Sequence, residues 1–155
     1  MEQTFIIIKP CAIRRDLIGE IIHRFEMKGM QLCAIKMIQL TDSILDEHYA
    51  HLARRPYFQR IKNSMMKTPV VVSVWKGVGV VDVARQMAGT TNGRNALPGT
   101  IRGDYSMSIQ ENIVHTSDSV ENAKIEIARF FNSNEIYEYE YESICQSVLY
   151  ANDEV

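Results

Sequence analysis

The sequence predicts an α+β domain, with helices on one face of a small antiparallel sheet. Two observations carry that class. Short β-branched runs are interleaved with apolar stripes at helical spacing, and the regular strand-then-helix repetition of a parallel sheet is absent. No repeat, low-complexity linker or composition shift divides the 155 residues, so residues 1–155 read as a single domain.

The elements follow in order. Phe5, Ile6, Ile7 and Ile8 are aromatic and β-branched, and Pro10 biases Lys9 toward extended backbone, so a buried strand ends with Lys9 at its carboxyl edge. Over 16–28, Leu17, Ile18, Ile21, Ile22 and Phe25 recur at helical spacing and Gly29 supplies a stop, which predicts a helix. Residues 31–40 carry an extended pattern. Thr41 can cap a helix whose Ile44, Leu45, His48, Tyr49 and Leu52 share one stripe, and Arg55-Pro56 breaks it. A shorter helix over 57–66 leads to Pro69 and to a strand of Val70, Val71, Val72, Ser73, Val74 and Trp75, buried on most of its surface. Val80, Val83, Ala84 and Met87 give the next helix.

Gly89 then opens a long segment, 89–111, punctuated by Asn92-Gly93, Pro98-Gly99 and Gly103 and therefore predicted to be mostly irregular. A loop of that length in a compact domain points to function. Residues 112–115 add a short strand, and Asp118 or Ser119 caps a helix running to about Phe131. From about residue 132 a C-terminal arm follows, where Tyr137, Tyr139 and Tyr141 alternate with Glu138, Glu140 and Glu142 as in a half-exposed extended segment.

Composition removes several classes of function. The 17 Lys and Arg against 19 Asp and Glu give a net charge of −2 and a pI near 6.1, so no overall field favours nucleic acid or an anionic membrane. Phosphate chemistry must then use locally placed cations. Cys11, Cys33 and Cys145 are odd in number and widely spaced, against a disulfide framework or a zinc site. The first apolar run is interrupted by Lys9-Pro10, far short of a signal peptide or membrane span, and the expected location is the cytoplasm.

Walker, dinucleotide-binding, serine-hydrolase and zinc-protease motifs are absent; the Gly77-Val78-Gly79 pair reads as a turn after a strand. Among the histidines, His23 and His51 read as surface residues and His48 as a packed, hydrogen-bonded core residue. His115 differs, because it precedes a helix N-terminus, where free N–H groups and the helix dipole favour an anion. In that helix Glu126 lies on the buried stripe of Ala123, Ile127 and Phe130, and an inward carboxylate needs a partner. One candidate partner is His115, giving a carboxylate that fixes the tautomer of a nucleophilic imidazole; the competing partner is a serine or backbone amide. Arg85, Arg94 and Arg102, with Thr91 and Asn92, concentrate cations and polar groups around the long segment.

Four motifs, taken together, carry a resemblance. Thr4-Phe5-Ile6-Ile7-Ile8-Lys9-Pro10, Arg55-Pro56-Tyr57-Phe58, Pro98-Gly99-Thr100-Ile101-Arg102-Gly103-Asp104 and Asn112-x-x-His115-x-Ser117-Asp118-Ser119 resemble a nucleoside diphosphate kinase, in order, from about residue 3 to residue 131. The resemblance implies a ferredoxin-like βαββαβ sandwich with a four-stranded antiparallel sheet. It also implies a phosphotransferase that moves the terminal phosphoryl group from a nucleoside triphosphate, mainly ATP, to a nucleoside diphosphate by a ping-pong mechanism.

Carried over by residue, His115 would be phosphorylated, Glu126 would orient its ring and Tyr49 would stand beside it. Lys9, Arg85 and Arg102 would hold the phosphates, with a hydroxyl contact from Thr91. Asn112 and Lys9 would hold the ribose, and Tyr57 would stack on the base opposite Ile109. Mg²⁺ would arrive on the nucleotide phosphates, with no metal site in the protein. The resemblance further implies a homo-oligomer, a hexamer rather than a tetramer given the long C-terminus, with no membrane or nucleic-acid partner.

The chain departs from the family pattern at three places. Cys11-Ala12 replaces Asp-Gly, Thr116 replaces Gly or Ala, and Gly93 replaces a proline in the long loop. The alternative function is a catalytically silent nucleotide-binding or regulatory module of the same fold, against which the joint presence of His115, Glu126, Lys9, Arg85 and Arg102 counts.

Overall fold

A computed structural model describes residues 1–139. Its elements are β1 (Glu2–Ile8), α1 (Pro10–Ile13), α2 (Ile18–Met27), β2 (Gln31–Ile38), α3 (Asp42–His48), α4 (Phe58–Met65), β3 (Val70–Gly77), α5 (Val80–Ala88), α6 (Ile101–Tyr105), β4 (Val114–Thr116) and α7 (Val120–Phe130). Single 3₁₀ turns stand at Ala50–Leu52, Gly93–Asn95 and Ser133–Glu135. The expected ferredoxin-like α+β architecture is present: one four-stranded sheet in the order β2-β3-β1-β4, with every pairing antiparallel.

β1 lies between β3 and β4, which explains its wholly apolar second half. Side chains alternate across a strand, so Phe5 and Ile7 enter one apolar cluster and Ile6 and Ile8 the other. β3 divides in the same way, with Val70, Val72 and Val74 on one side and Val71 and Trp75 on the other. Helices therefore cover both faces of the sheet, not the single face expected. Leu45 of α3, Met65 of α4 and Phe130 of α7 pack with Phe5; Ile21 and Phe25 of α2 and Ala84 of α5 pack with Trp75. A strand buried on both sides has no polar alternation, and β1 and β3 show none.

Local signals end most elements where the sequence places them. Thr41 caps α3, accepting from the Ile44 N–H at 3.4 Å. Ser119, not Asp118, caps α7, accepting from the Asn122 N–H at 3.1 Å. The segment 89–111 is mostly irregular but contains α6, whose cap Thr100 accepts from the Gly103 N–H at 3.1 Å. The segment is tied to α2 through Arg24, which donates to Asp104 at 2.7 Å and to the Tyr105 hydroxyl at 3.0 Å.

Residues 132–139 run beside β2, where the Tyr137 N–H donates to the Cys33 carbonyl at 2.9 Å and the Tyr139 hydroxyl to the Leu32 carbonyl at 2.7 Å. Glu140, Tyr141, Glu142 and Cys145 lie outside the described residues. No helix among the described residues is long and apolar enough to cross a membrane.

Candidate active site

The site forms where β1 and β4 end. The Lys9 N–H donates to the Ile113 carbonyl at 2.9 Å, and the Val114 N–H donates to the Asn112 carbonyl at 2.9 Å, closing a tight turn around Ile113. Ile113 has φ 75, in the left-handed region that a β-branched residue avoids. The cause of its persistence is visible. Arg102 donates from Nε to the Asn112 carbonyl at 3.1 Å, from Nη2 to the Val114 carbonyl at 2.8 Å, and from Nη1 to the Gly89 carbonyl at 2.7 Å. Strain of this kind costs on the order of 1–3 kcal/mol and survives only where surroundings over-determine it.

His115, the second residue beyond Ile113, is the middle residue of β4 and stands opposite Ile7. Its Nε2 lies 2.8 Å from Glu126 Oε1. The second carboxylate oxygen, Oε2, accepts from the Ser117 hydroxyl at 2.6 Å, so the histidine and the serine expected as competing partners of Glu126 are both present. Burial raises the Glu126 pKa, but the hydrogen bond and charge of His115, followed by Ser117, outweigh it and leave the carboxyl below its usual range. A carboxylate accepts only, so the proton of the His115 ring sits on Nε2 and Nδ1 keeps its lone pair.

His48 was expected in the core as a satisfied residue. It is buried, but it packs edge-on against His115 with ring centres 4.7 Å apart. Its Nδ1 accepts from Arg129 at 3.2 Å, while its Nε2 has no partner among the described residues. Burial first, and then the His115 charge, lower its pKa to about 3, so it remains neutral. Burial likewise pushes the Tyr49 hydroxyl up, with the Glu126 charge adding to the effect, and Tyr49 keeps its proton beside the pair.

One cleft of about 1100 Å³ is lined by all the residues that the resemblance assigns to the site: Lys9, Tyr49, Tyr57, Arg85 and Thr91, with Arg102, Ile109, Asn112, His115 and Glu126. Arg94 is exposed and does not line it. Lys9 Nζ donates to Asn112 Oδ1 at 2.6 Å, and Asn112 Nδ2 donates to the carbonyls of Thr91 and Ile109 at 2.9 and 3.0 Å. Burial, then the Arg102 charge, lower the Lys9 pKa to about 8; burial, then Arg85, lower that of Arg102 to about 10. Such a collection of cations along one cleft suits an anionic ligand.

Tyr57 and Ile109, exposed at 39% and 56%, also line the cleft. Sequence reasoning missed His48, Arg129, Arg60 and Gln110, and it left the serine partner of Glu126 unnamed although Ser117 belongs to the His115 motif. The other four line the cleft through long-range packing that spacing does not encode. Three ligating groups, His48, His115 and Glu126, lie within 4.8 Å of one another, but both Glu126 oxygens are already committed. Cys11 does not line the cleft; it packs against the Trp75 cluster, and burial raises its thiol pKa.

Fold and site define a class of protein: an α+β domain with a carboxylate-held histidine in a cation-lined cleft, suited to group transfer from anions. Residues 2–136 match the sequence profile described as nucleoside diphosphate kinase. A nucleoside diphosphate kinase of Parabacteroides distasonis is 60% identical over 154 residues, covering 99% of both chains. Nucleoside diphosphate kinase A of the dog, Canis lupus familiaris, is 46% identical over 96% of this chain and 97% of its own. A halophilic nucleoside diphosphate kinase from Halobacterium salinarum, solved in complex with CDP, superposes with a TM-score of 0.90 at 33% identity, covering 94% of this chain and 97% of that one. The chain belongs to the nucleoside diphosphate kinase family.

Proposed function

We propose that His115 carries the phosphoryl group between two nucleotides in a ping-pong reaction, taken from a nucleoside triphosphate, mainly ATP, and given to a nucleoside diphosphate. Membership of the family makes the chain a nucleotide-binding enzyme, a kinase that transfers phosphoryl groups between nucleotides. The observation that carries the role of His115 is its 2.8 Å bond to a buried carboxylate inside the cation-lined cleft. A silent module of the same fold would have no use for that pair.

In the first half-reaction the Nδ1 lone pair attacks the terminal phosphorus, the bond to the bridging oxygen breaks, and the diphosphate leaves. The second half-reaction is the reverse with a new diphosphate. Glu126 holds the ring and balances the positive charge it acquires, and Ser117 holds Glu126. Lys9, Arg85 and Arg102 neutralise the phosphate oxygens, and losing one such contact typically costs ~10²–10³ in rate. The protonated Tyr49 and Thr91 hydroxyls donate nearby. Lys9 and Asn112 hold the ribose, and Tyr57 and Ile109 sandwich the base, a stacking mode that tolerates every base.

Mg²⁺ bound to the phosphates would supply further neutralisation of charge. Asp118 is an exposed carboxylate of the cleft, and among the described residues the cleft offers no oxygen cage for a protein-held ion.

Incubation with γ-labelled ATP should leave an acid-labile label that moves to an added diphosphate, and His115→Ala should take up none. Label retained on a folded His115→Ala protein overturns the role. The proposal extends to a single domain over 1–155 with an arm from about 132, in a cytoplasmic homo-oligomer, a hexamer rather than a tetramer, without membrane or nucleic-acid partners. The net charge of −2 supports the last point, and sedimentation equilibrium tests the assembly.

A further inference from the structure

We propose that Arg129 is a positioning residue that acts through His48: it fixes the proton of His48 on Nε2 and so keeps Glu126 for His115 alone. The inference deepens the phosphotransfer reading and rests on it.

Two imidazoles face one carboxylate oxygen. Glu126 Oε1 lies 2.8 Å from His115 Nε2 and 3.8 Å from His48 Nδ1, while Oε2 is taken by the Ser117 hydroxyl at 2.6 Å. The His48 ring stands edge-on to His115 with centres 4.7 Å apart, and its side chain is only 1% exposed. Burial lowers its pKa to about 3, so the ring is neutral and carries one proton, on one nitrogen or the other. A proton on Nδ1 would set a donor beside Glu126 Oε1 and draw that oxygen from His115.

Arg129 decides between the two forms. It lies one turn after Glu126 on α7, with Nε donating to Glu47 Oε1 at 2.9 Å and Nη1 3.2 Å from His48 Nδ1. A guanidinium only donates, so this contact is a hydrogen bond only while Nδ1 keeps its lone pair. The proton then sits on Nε2, which is buried and has no partner among the described residues. That orphan shows which way the balance tips without Arg129. A buried donor left unpaired is unfavourable, whereas a proton on Nδ1 has Glu126 nearby. Arg129 therefore holds His48 in the form that its other neighbours oppose.

The test labels the imidazole nitrogens isotopically and reads by NMR which nitrogen of each ring is protonated. Native His48 should carry its proton on Nε2, and Arg129→Leu should move it to Nδ1; His48→Phe identifies the signal by removing it. Single-turnover phosphorylation by γ-labelled ATP then completes a double-mutant cycle. Arg129→Leu should slow it by ~3–10-fold where His48 is present, because His115 then shares its orienting oxygen, and should cause no further loss in the His48→Phe background. An equal loss in both backgrounds means that Arg129 acts on the nucleotide directly and overturns the role. So does the absence of any loss, a native proton on Nδ1, or a proton that stays on Nε2 in Arg129→Leu. No label on the native protein overturns the phosphotransfer reading and the role with it, whereas those other results remove the role alone.

Discussion

Lys9 is held between its need to be charged and an environment that opposes charge. Burial and Arg102 bring its pKa down to about 8, so in the free enzyme the cation is lost as pH rises through that value. The kcat/KM profile should therefore fall on an alkaline limb near 8, while the limb in kcat lies higher because bound phosphate favours the ammonium. Lys9→Met should be slower and lack the limb; a limb that stays in the variant assigns it to another group. His48 obeys the opposite logic on the acid side. Its folded pKa of about 3 lies below the ordinary 6.5, so the unfolded chain binds a proton that the folded chain refuses. Its contribution to stability is whole above 6.5 and is lost as pH falls toward 3, at up to roughly 1.4 kcal/mol per pH unit. His48→Phe keeps a ring in the cluster, and urea unfolding at about pH 7 and about pH 4.5 should show a smaller loss for it than for the native chain. An equal loss would remove His48 from the acid response.

At the scale of elements, the tight turn before β4 depends on one side chain in α6. Arg102 spreads three N–H groups over the carbonyls of Gly89, Asn112 and Val114, so it braces the strained Ile113 as well as facing the cleft. Lysine keeps the charge but not the fork. Arg102→Lys should lower stability by roughly 1–3 kcal/mol and lower kcat/KM together, because the turn that presents His115 relaxes. Unchanged urea stability would show that the turn holds itself. Gly93 is another backbone device. A Cβ there would stand 2.3 Å from the Ser106 carbonyl oxygen, and the Gly93 N–H donates to the Ser108 carbonyl at 3.1 Å, so the glycine allows the loop to pack closely on itself.

The longer elements were legible because apolar spacing and caps such as Thr41 and Ser119 are local. The one-turn helices α1 and α6 were not, since a single turn leaves no periodicity. In the site, His115, Glu126 and the cations Lys9, Arg85 and Arg102 that line the cleft with them were legible from motifs. His48 was not recognised, because its place on the apolar stripe is equally that of a core residue, and Arg60 and Gln110 are 50 positions apart.

The described residues form a sheet covered on both faces, with Lys9, Arg85 and Arg102 lining one cleft. Lys9, Arg102 and Arg85 repel one another there, so an anion that enters stabilises the fold by linkage. Pyrophosphate at ~100 times its Kd should add about 2.7 kcal/mol, raising Tm by roughly 5–10 °C, well beyond sodium chloride of equal ionic strength. Equal shifts from both salts would deny the cluster its specificity. The sheet order also bears on how the chain is made. Of the four strands β1 leaves the ribosome before the others, yet Glu2 pairs with Gly77 and Ile6 with Thr116, so this apolar strand waits for partners far downstream. At ~5–20 residues per second that wait lasts on the order of several seconds, with an unpaired apolar ribbon open to misassociation. Synthesis that stops before β4 yields a chain with Lys9 but neither the closing strand nor His115, so the nascent protein passes through its most adhesive stage before the cleft is complete.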